Sequence, residues 1–120
     1  KGSIDIKLRL PGKFNVSNAV AAASVAFALG VDIQTIQPGI ESAWQIPGRM
    51  ESVSNEQDLD IIIDYAHTPD GFQKVFEAVR SIARGKVIAV FGAAGNRDKL
   101  KRPILGQIAS QFANDIILTE

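Results

Sequence analysis

The chain has 120 residues, of which 46% are hydrophobic and 22% are charged, and its 13 basic side chains balance its 13 acidic ones. This is the composition of a globular protein, and a net charge of zero gives no long-range attraction to nucleic acid or to an anionic membrane. The lack of cysteine excludes disulfides and thiolate metal sites, and a single histidine leaves only an unusual carboxylate-rich zinc site. No signal-peptide pattern or bilayer-spanning apolar run is visible, so we expect a cytoplasmic protein.

The first part of the chain predicts a strand followed by a helix. Residues 3–10 alternate between apolar and charged side chains, which is the pattern of a half-buried strand, and a Pro-Gly pair ends it. An alanine-rich stretch over residues 18–29 predicts a helix whose N-cap is Asn15 or Ser17. Gly30 follows in the position of a C-terminal glycine cap.

A second, short helix is predicted after Asp32, which is placed to cap it, and apolar residues recur there at helical spacing. The pattern then breaks at Pro47 and Gly48, a pair typical of a hinge. We therefore expect two parts, residues 1–46 and residues 47–120.

The second part predicts alternating strands and helices. Asp70 is the expected N-cap of its first helix, Gly85 the expected end of that helix, and Pro103 the expected first residue of the next. The predicted elements are strand 50–53, polar loop 54–58, buried strand 59–63, helix 71–83, buried strand 86–91, helix 103–112 and buried strand 115–118. This order predicts an α/β fold, a Rossmann-like βαβαβ parallel sheet preceded by the strand and two helices of the first part.

The turn at residues 64–70 reads Asp-Tyr-Ala-His-Thr-Pro-Asp and follows the apolar run 59–63. The carboxyl edge of a parallel sheet is where α/β proteins bind ligands. Asp64 is suited to ribose hydroxyls there, although it could also cap the next turn. His67 is either a ligand contact or a packing and hydrogen-bonding residue.

A second candidate is the loop that follows strand 86–91. Gly92 and Gly95 allow a ligand to approach the backbone closely. The basic residues that follow are Arg97, Lys99, Lys101 and Arg102. Beside a helix N-terminus they form a candidate anion site, but a solvated basic loop explains them equally well. The spacing matches neither a Gly-Lys-Ser/Thr phosphate loop nor Gly-x-Gly-x-x-Gly.

Three further polar residues have open alternatives. Arg49 follows the hinge, where it could reach an anion or pair with Glu51. Asn15 and Asn18 lie around the start of the first helix, and capping is their simplest role.

Four separated motifs together resemble the Mur ligase family, the ATP-dependent amide-forming synthetases of peptidoglycan precursors. They are Gly-Lys-Phe-Asn-Val-Ser-Asn-Ala at 12–19, Gly-Arg-Met-Glu at 48–51, the turn 64–70, and Phe-Gly through Arg-Asp to Lys-Arg-Pro at 91–103. The last two are most similar to the MurE type, which adds meso-diaminopimelate or L-lysine to UDP-N-acetylmuramoyl-L-alanyl-D-glutamate. Ala93, Ala94 and Asn96 depart from the usual Cys-Gly and Asp of that loop.

The resemblance implies a mechanism and a set of site residues. ATP would phosphorylate the substrate carboxylate to an acyl phosphate, which the incoming amine attacks, with magnesium balancing charge. The residues implied to bind ATP are Asn15, Asn18, Arg49, Asp64, Tyr65 and His67. Of these, Arg49 would contact the phosphates as the catalytic residue, and Arg97 would face the carboxylate of the amino-acid substrate.

The resemblance also implies that residues 1–46 end a central ATPase domain and that 47–120 begin a C-terminal domain. The family's Gly-Lys-Thr loop and its magnesium ligands are absent from this sequence, so we expect no metal site here and a chain that is inactive alone. We also expect a monomer. Two alternatives remain. One is a related ligase such as cyanophycin synthetase or folylpolyglutamate synthase, and the other is a non-catalytic nucleotide-binding or interaction module.

Overall fold

The computed structural model describes residues 3–93 and 98–119. The chain divides into two compact units, Lys1–Asp64 and Tyr65–Glu120. The first contains α1 (Lys13–Ala28), α2 (Ile33–Glu41), β1 (Glu51–Val53) and β2 (Ile61–Ile63). The second contains α3 (Pro69–Ile82), β3 (Ile88–Gly92), α4 (Lys101–Phe112) and β4 (Asp115–Thr119). No helix within the described ranges has the length and apolar character needed to cross a bilayer.

Helix α1 begins earlier than its alanine content predicts. Its N-cap is Gly12, with a φ of 92° and no side-chain hydrogen bond, so the prediction that Asn15 or Ser17 caps the helix is wrong. A glycine tolerates this left-handed conformation, which lets the chain turn into the helix directly after Pro11. Asn15 consequently lies in the first turn of α1 rather than ahead of it.

The end of α1 confirms the predicted glycine cap. Gly30 has a φ of 83° and donates its N–H to the carbonyl of Phe27, while Val31 donates to the carbonyl of Ala26. This pair of hydrogen bonds is the Schellman motif, which satisfies carbonyls that the last turn would otherwise leave unpaired.

Residues 3–10 do not form the predicted strand, since no described strand pairs with them. The predicted alternation of half-buried and exposed side chains is nevertheless confirmed. Ile4, Ile6 and Leu8 are half-buried and line a groove with α1, while the charged residues between them are exposed. Backbone groups of this segment bind side chains of α2 instead: Lys7 donates its N–H to Glu41, and Asp5 accepts from Gln37. An extended segment forms a β-strand only when its backbone hydrogen-bonds to a second strand.

Helix α2 confirms the predicted Asp32 cap, whose carboxylate accepts the N–H of Gln34 at 3.0 Å. Ile36 is its buried residue, and Pro38 lies within the helix. The chain leaves the helix at Ser42 and reaches the Pro-Gly turn.

Strands β1 and β2 form an antiparallel hairpin in which Glu51 pairs with Ile63. The Asn55 side chain organises the connection, because its oxygen accepts the N–H groups of Gln57 and Leu59 and its amide donates to the Leu59 carbonyl. A strand is present here, but the prediction that it is buried in a parallel sheet is wrong. It pairs antiparallel with β1, and Ile61 and Ile63 are exposed. An apolar run alone does not distinguish a buried strand from a hairpin strand.

Helix α3 is capped by Thr68, whose hydroxyl accepts the N–H of Gly71, and Pro69 occupies the first turn. The expected cap, Asp70, lies inside the helix and forms an ion pair with Lys74 at 2.7 Å. The helix ends at Ile82, before the predicted glycine end at Gly85.

Strands β3 and β4 pair in parallel, from Ile88 opposite Asp115 to Gly92 opposite Thr119, and α4 connects them. Pro103 is the third residue of α4 rather than the first. The prediction that the third strand is buried is wrong, since all residues of β4 are exposed. Among the described strands, only β3 lies beside β4. The core of this unit lies between β3, α3 and α4 and consists of Phe72, Phe76, Val87, Ala89, Leu105, Ile108 and Ala109. The α/β class with a parallel strand pair is confirmed.

Candidate functional site

The Pro-Gly turn presents Arg49 on a backbone held by hydrogen bonds. The N–H of Arg49 closes the turn by donating to the Ile46 carbonyl at 3.0 Å, and Gly48 has a φ of 67°. Proline followed by a residue with positive φ is the type II turn. The Arg49 side chain is exposed, and its guanidinium forms no ion pair with any residue in the described ranges.

Glu51 binds the turn rather than the Arg49 side chain. Its Oε2 accepts the N–H of Gly48 at 2.7 Å, and its Oε1 accepts the side-chain amide of Gln45 at 3.1 Å. The alternative in which Arg49 pairs with Glu51 is therefore not what the structure shows.

Asp64 reaches the same turn from the end of β2. Its Oδ2 accepts the backbone N–H of Met50 at 2.8 Å. Met50 is 3% exposed and has a φ of 48°, a left-handed conformation that costs a residue with a side chain about 1–2 kcal/mol. The hydrogen bond that the Met50 N–H donates to the carboxylate helps to offset this strain. Arg49 and Asp64, predicted separately from the sequence, therefore both adjoin Met50: Arg49 precedes it in the chain, and Asp64 binds its N–H.

Asn15 and Asn18 form a second polar pair in the first unit. Asn18 donates its amide to the Asn15 oxygen at 3.1 Å, and Asn15 donates to the Pro11 carbonyl at 2.6 Å. Asn15 is 3% exposed, whereas Asn18 is exposed. The buried asparagine therefore orients the exposed one, and neither is the helix cap.

Tyr65 and His67 lie together at the start of the second unit. Their rings meet edge to face with centroids 5.2 Å apart, and the Nδ1 of His67 is 3.2 Å from the Tyr65 carbonyl. Both side chains are exposed. They form an aromatic surface that could stack against a planar ring.

The carboxyl ends of β3 and β4 border a cavity of about 400 Å³ beside the start of α4. Its lining consists of Phe91, Gly92, Ala93, Arg102, Leu105, Leu118 and Thr119. Gly92 lies so close to β4 that an added Cβ would be 2.6 Å from the Thr119 carbonyl oxygen. Arg102 contributes a positive charge to the cavity wall, and the anion site stays a prediction. Arg97, the predicted contact for an amino-acid carboxylate, lies outside the described residues.

The described part of the chain contains no group of three or more His, Asp or Glu side chains suited to a metal ion. The sequence reasoning also missed the roles of Gln45, Glu51 and Met50 around the turn. The sequence feature that could have indicated these roles is the Pro-Gly pair, which has the amide side chain of Gln45 before it and the carboxylate of Glu51 after it.

The chain matches the profile of the family described as Mur ligase, glutamate ligase domain, over residues 48–120. It is 46% identical over 119 residues to the UDP-N-acetylmuramyl-tripeptide synthetase of Roseiflexus sp., covering 99% of this chain and 23% of the relative. It is 45% identical over 111 residues to a UDP-N-acetylmuramoyl-L-alanyl-D-glutamate--2,6-diaminopimelate ligase of Gloeobacter violaceus, covering 92% of this chain and 23% of that one. The chain thus spans about a quarter of the length of the curated relatives it matches.

Two solved structures have folds similar to that of this chain. A structure of a UDP-N-acetylmuramoyl-L-alanyl-D-glutamate--2,6-diaminopimelate ligase superposes with a TM-score of 0.58 at 37% identity, over 99% of this chain and 24% of that one. A folylpolyglutamate synthetase complex with AMPPCP and folate superposes with a TM-score of 0.76 at 22% identity, over 95% of this chain and 28% of that one. Identity this low indicates a shared fold and nothing about substrate.

Proposed function

The chain belongs to the Mur ligase family and is most similar to its tripeptide synthetases, and on this basis we propose that the full-length protein is an ATP-dependent ligase of peptidoglycan precursors. It would join a third amino acid to UDP-N-acetylmuramoyl-L-alanyl-D-glutamate. The names of the relatives favour meso-diaminopimelate over L-lysine as that amino acid. We further propose that residues 1–46 end the central domain and that 47–120 begin the C-terminal domain, which the start of the family match at residue 48 supports.

The proposed reaction has two steps. The substrate carboxylate attacks the γ-phosphorus of ATP, which gives an acyl phosphate and ADP. The amine of the incoming amino acid then attacks the acyl carbon, loses a proton, and expels phosphate as the amide bond forms. Magnesium, when bound, would neutralise charge on the transferring phosphoryl group, and we place its ligands outside this chain.

The observation that carries the proposal is the arrangement around Met50. Arg49 precedes Met50 with an exposed guanidinium, and the Asp64 carboxylate binds the Met50 N–H. A cation for phosphate oxygens and an acceptor for ribose hydroxyls are the groups that a nucleotide requires. A carboxylate has about four lone-pair positions, so the hydrogen bond from the Met50 N–H does not by itself prevent Asp64 from accepting a ribose hydroxyl.

We propose roles for the other residues on the same basis. Asn18 contacts the adenine, and buried Asn15 holds it in place through the 3.1 Å hydrogen bond. Tyr65 and His67 line the nucleoside side of the site with their exposed rings. Arg97 binds the carboxylate of the amino-acid substrate.

The test is an assay of the full-length protein with ATP, magnesium, UDP-muramoyl dipeptide and either meso-diaminopimelate or L-lysine. We expect phosphate release that requires every component and a tripeptide product visible by mass spectrometry. Arg49→Ala should lower turnover by about a hundred-fold or more, as expected when a charged transition-state contact is lost. Turnover with folate or poly-aspartate substrates instead would assign a different ligase. Nucleotide binding without any turnover would support the non-catalytic module.

A further inference from the structure

The type II turn leaves one backbone donor without a partner inside the turn. Its own hydrogen bond joins Arg49 to Ile46, so the N–H of Gly48 requires an acceptor from elsewhere. The Oε2 of Glu51 is that acceptor, at 2.7 Å. An acceptor with full negative charge forms a stronger hydrogen bond than a neutral carbonyl.

Glu51 is itself well anchored. It is the first residue of β1 and pairs with Ile63 in the hairpin. Its Oε1 accepts the amide of Gln45, the residue before the turn, at 3.1 Å. The carboxylate therefore connects the chain entering the turn, the middle of the turn, and the strand that leaves it.

The result is that three consecutive backbone N–H groups are held. Gly48 donates to Glu51, Arg49 donates to Ile46, and Met50 donates to Asp64. Arg49 is the middle residue of the three, so its backbone, and with it the direction of its Cα–Cβ bond, is set before any ligand binds. Both oxygens of Glu51 are engaged by these other groups, and the guanidinium is left without an intramolecular carboxylate partner in the described part of the chain.

We propose that Glu51 is a positioning residue for Arg49, a role that rests on the proposed contact of Arg49 with the ATP phosphates. Glu51 acts on the backbone of the turn and does not touch the nucleotide. Without it, the turn samples more conformations, and ordering Arg49 becomes part of the cost of reaching the transition state.

The test uses the full-length ligase and measures phosphate release as a function of ATP concentration. Because a displacement of about 1 Å can cost a hundred-fold in rate, we expect Glu51→Ala to lower kcat/KM for ATP by about ten- to a hundred-fold. Glu51→Gln keeps a carbonyl oxygen for the Gly48 N–H and should remain within about three-fold of the parent. Glu56→Ala removes an exposed carboxylate from the loop of the same hairpin and should change nothing.

A double-mutant cycle separates positioning from a merely structural role. Arg49→Lys keeps the charge but loses the planar fork, so it leaves activity to measure while removing most of what Glu51 positions. We expect Glu51→Ala to cost much less in the Arg49→Lys background than in the parent. Equal costs in both backgrounds would overturn the inference.

The remaining outcomes are also decisive. Normal kinetics for Glu51→Ala, alongside a large loss for Arg49→Ala, would overturn the inference and leave the proposed function standing. Normal kinetics for Arg49→Ala would remove the proposed role of Arg49 and the inference with it. If Glu51→Ala does not fold, Glu51→Asp decides the matter, because its shorter carboxylate keeps the charge but withdraws from Gly48. A ten- to hundred-fold loss of kcat/KM supports positioning, and parent-like kinetics refute it.

Discussion

The carboxylate of Asp64 accepts the backbone N–H of Met50 at 2.8 Å, so the end of β2 supports the residue that follows Arg49. Met50 adopts its left-handed φ of 48° with the side chain almost completely buried. The nucleotide-binding role proposed for Asp64 therefore coexists with a structural one, and the two respond differently to substitution.

Replacing Asp64 distinguishes these roles. Asp64→Ala leaves the Met50 N–H without its acceptor, and we expect the free energy of unfolding to fall by about 1–3 kcal/mol. Asp64→Asn keeps an acceptor oxygen, so it should lose less than about 1 kcal/mol while still weakening ATP binding through loss of the charge. Urea denaturation followed by circular dichroism measures the first effect, and the KM for ATP of the full-length protein measures the second. An Asp64→Ala variant as stable as the parent protein would show that the hydrogen bond contributes nothing measurable.

Gly92 is expected to be intolerant of any side chain. In Gly92→Ala the new Cβ would be 2.6 Å from the Thr119 carbonyl oxygen, a backbone atom, so the end of β4 would have to shift away from β3. We expect a loss of about 1–3 kcal/mol in thermal or urea denaturation.

Gly106, inside α4, is the matched control. An added Cβ there meets no atom within 4 Å, so Gly106→Ala should stabilise the chain by about 0.5–1 kcal/mol through helix propensity. Similar stability changes for the two alanine variants would contradict the close contact between Gly92 and β4.

Asn114 connects three elements of the second unit. Its Oδ1 accepts the N–H of Val87 ahead of β3 and a guanidinium N–H of Arg80 in α3, each at 2.9 Å. Asn114→Ala should lower the free energy of unfolding by about 1–3 kcal/mol, because the Val87 N–H loses its acceptor. Asn114→Asp retains the acceptor and should retain most of the stability. Chemical denaturation compares the two, and an equal loss in both would argue against the hydrogen bonds as the cause.

The 120-residue chain alone is expected to release no phosphate above background when supplied with ATP, magnesium, UDP-muramoyl dipeptide and an amino acid. It contains no Gly-Lys-Thr loop to hold the β- and γ-phosphates, and its described residues contain no acidic cluster for magnesium. The full-length protein in the same assay is the positive control. Sustained turnover by the short chain would refute the assignment of the phosphate-binding machinery to other parts of the protein.

Local chemistry explains which elements were predictable. Asp32 caps α2 and Gly30 ends α1, as the sequence predicts. These features depend on side chains only a few residues apart, so periodicity and capping rules are sufficient to find them. The candidate site residues Arg49 and Asp64 were identified in the same way, from a Pro-Gly hinge and the end of an apolar strand.

The α/β class, the order of the main helices and strands, and the family resemblance therefore follow from local features of the sequence. Other features depend on how the chain folds in three dimensions. The tertiary structure paired β2 antiparallel with β1, and it left residues 3–10 extended but without a ladder. It also placed Glu51 on the turn and Asp64 on Met50. Strand pairing depends on the direction of the backbone and on a second strand, and the donor that a carboxylate binds depends on which groups the fold brings near it. Composition and spacing encode neither of these.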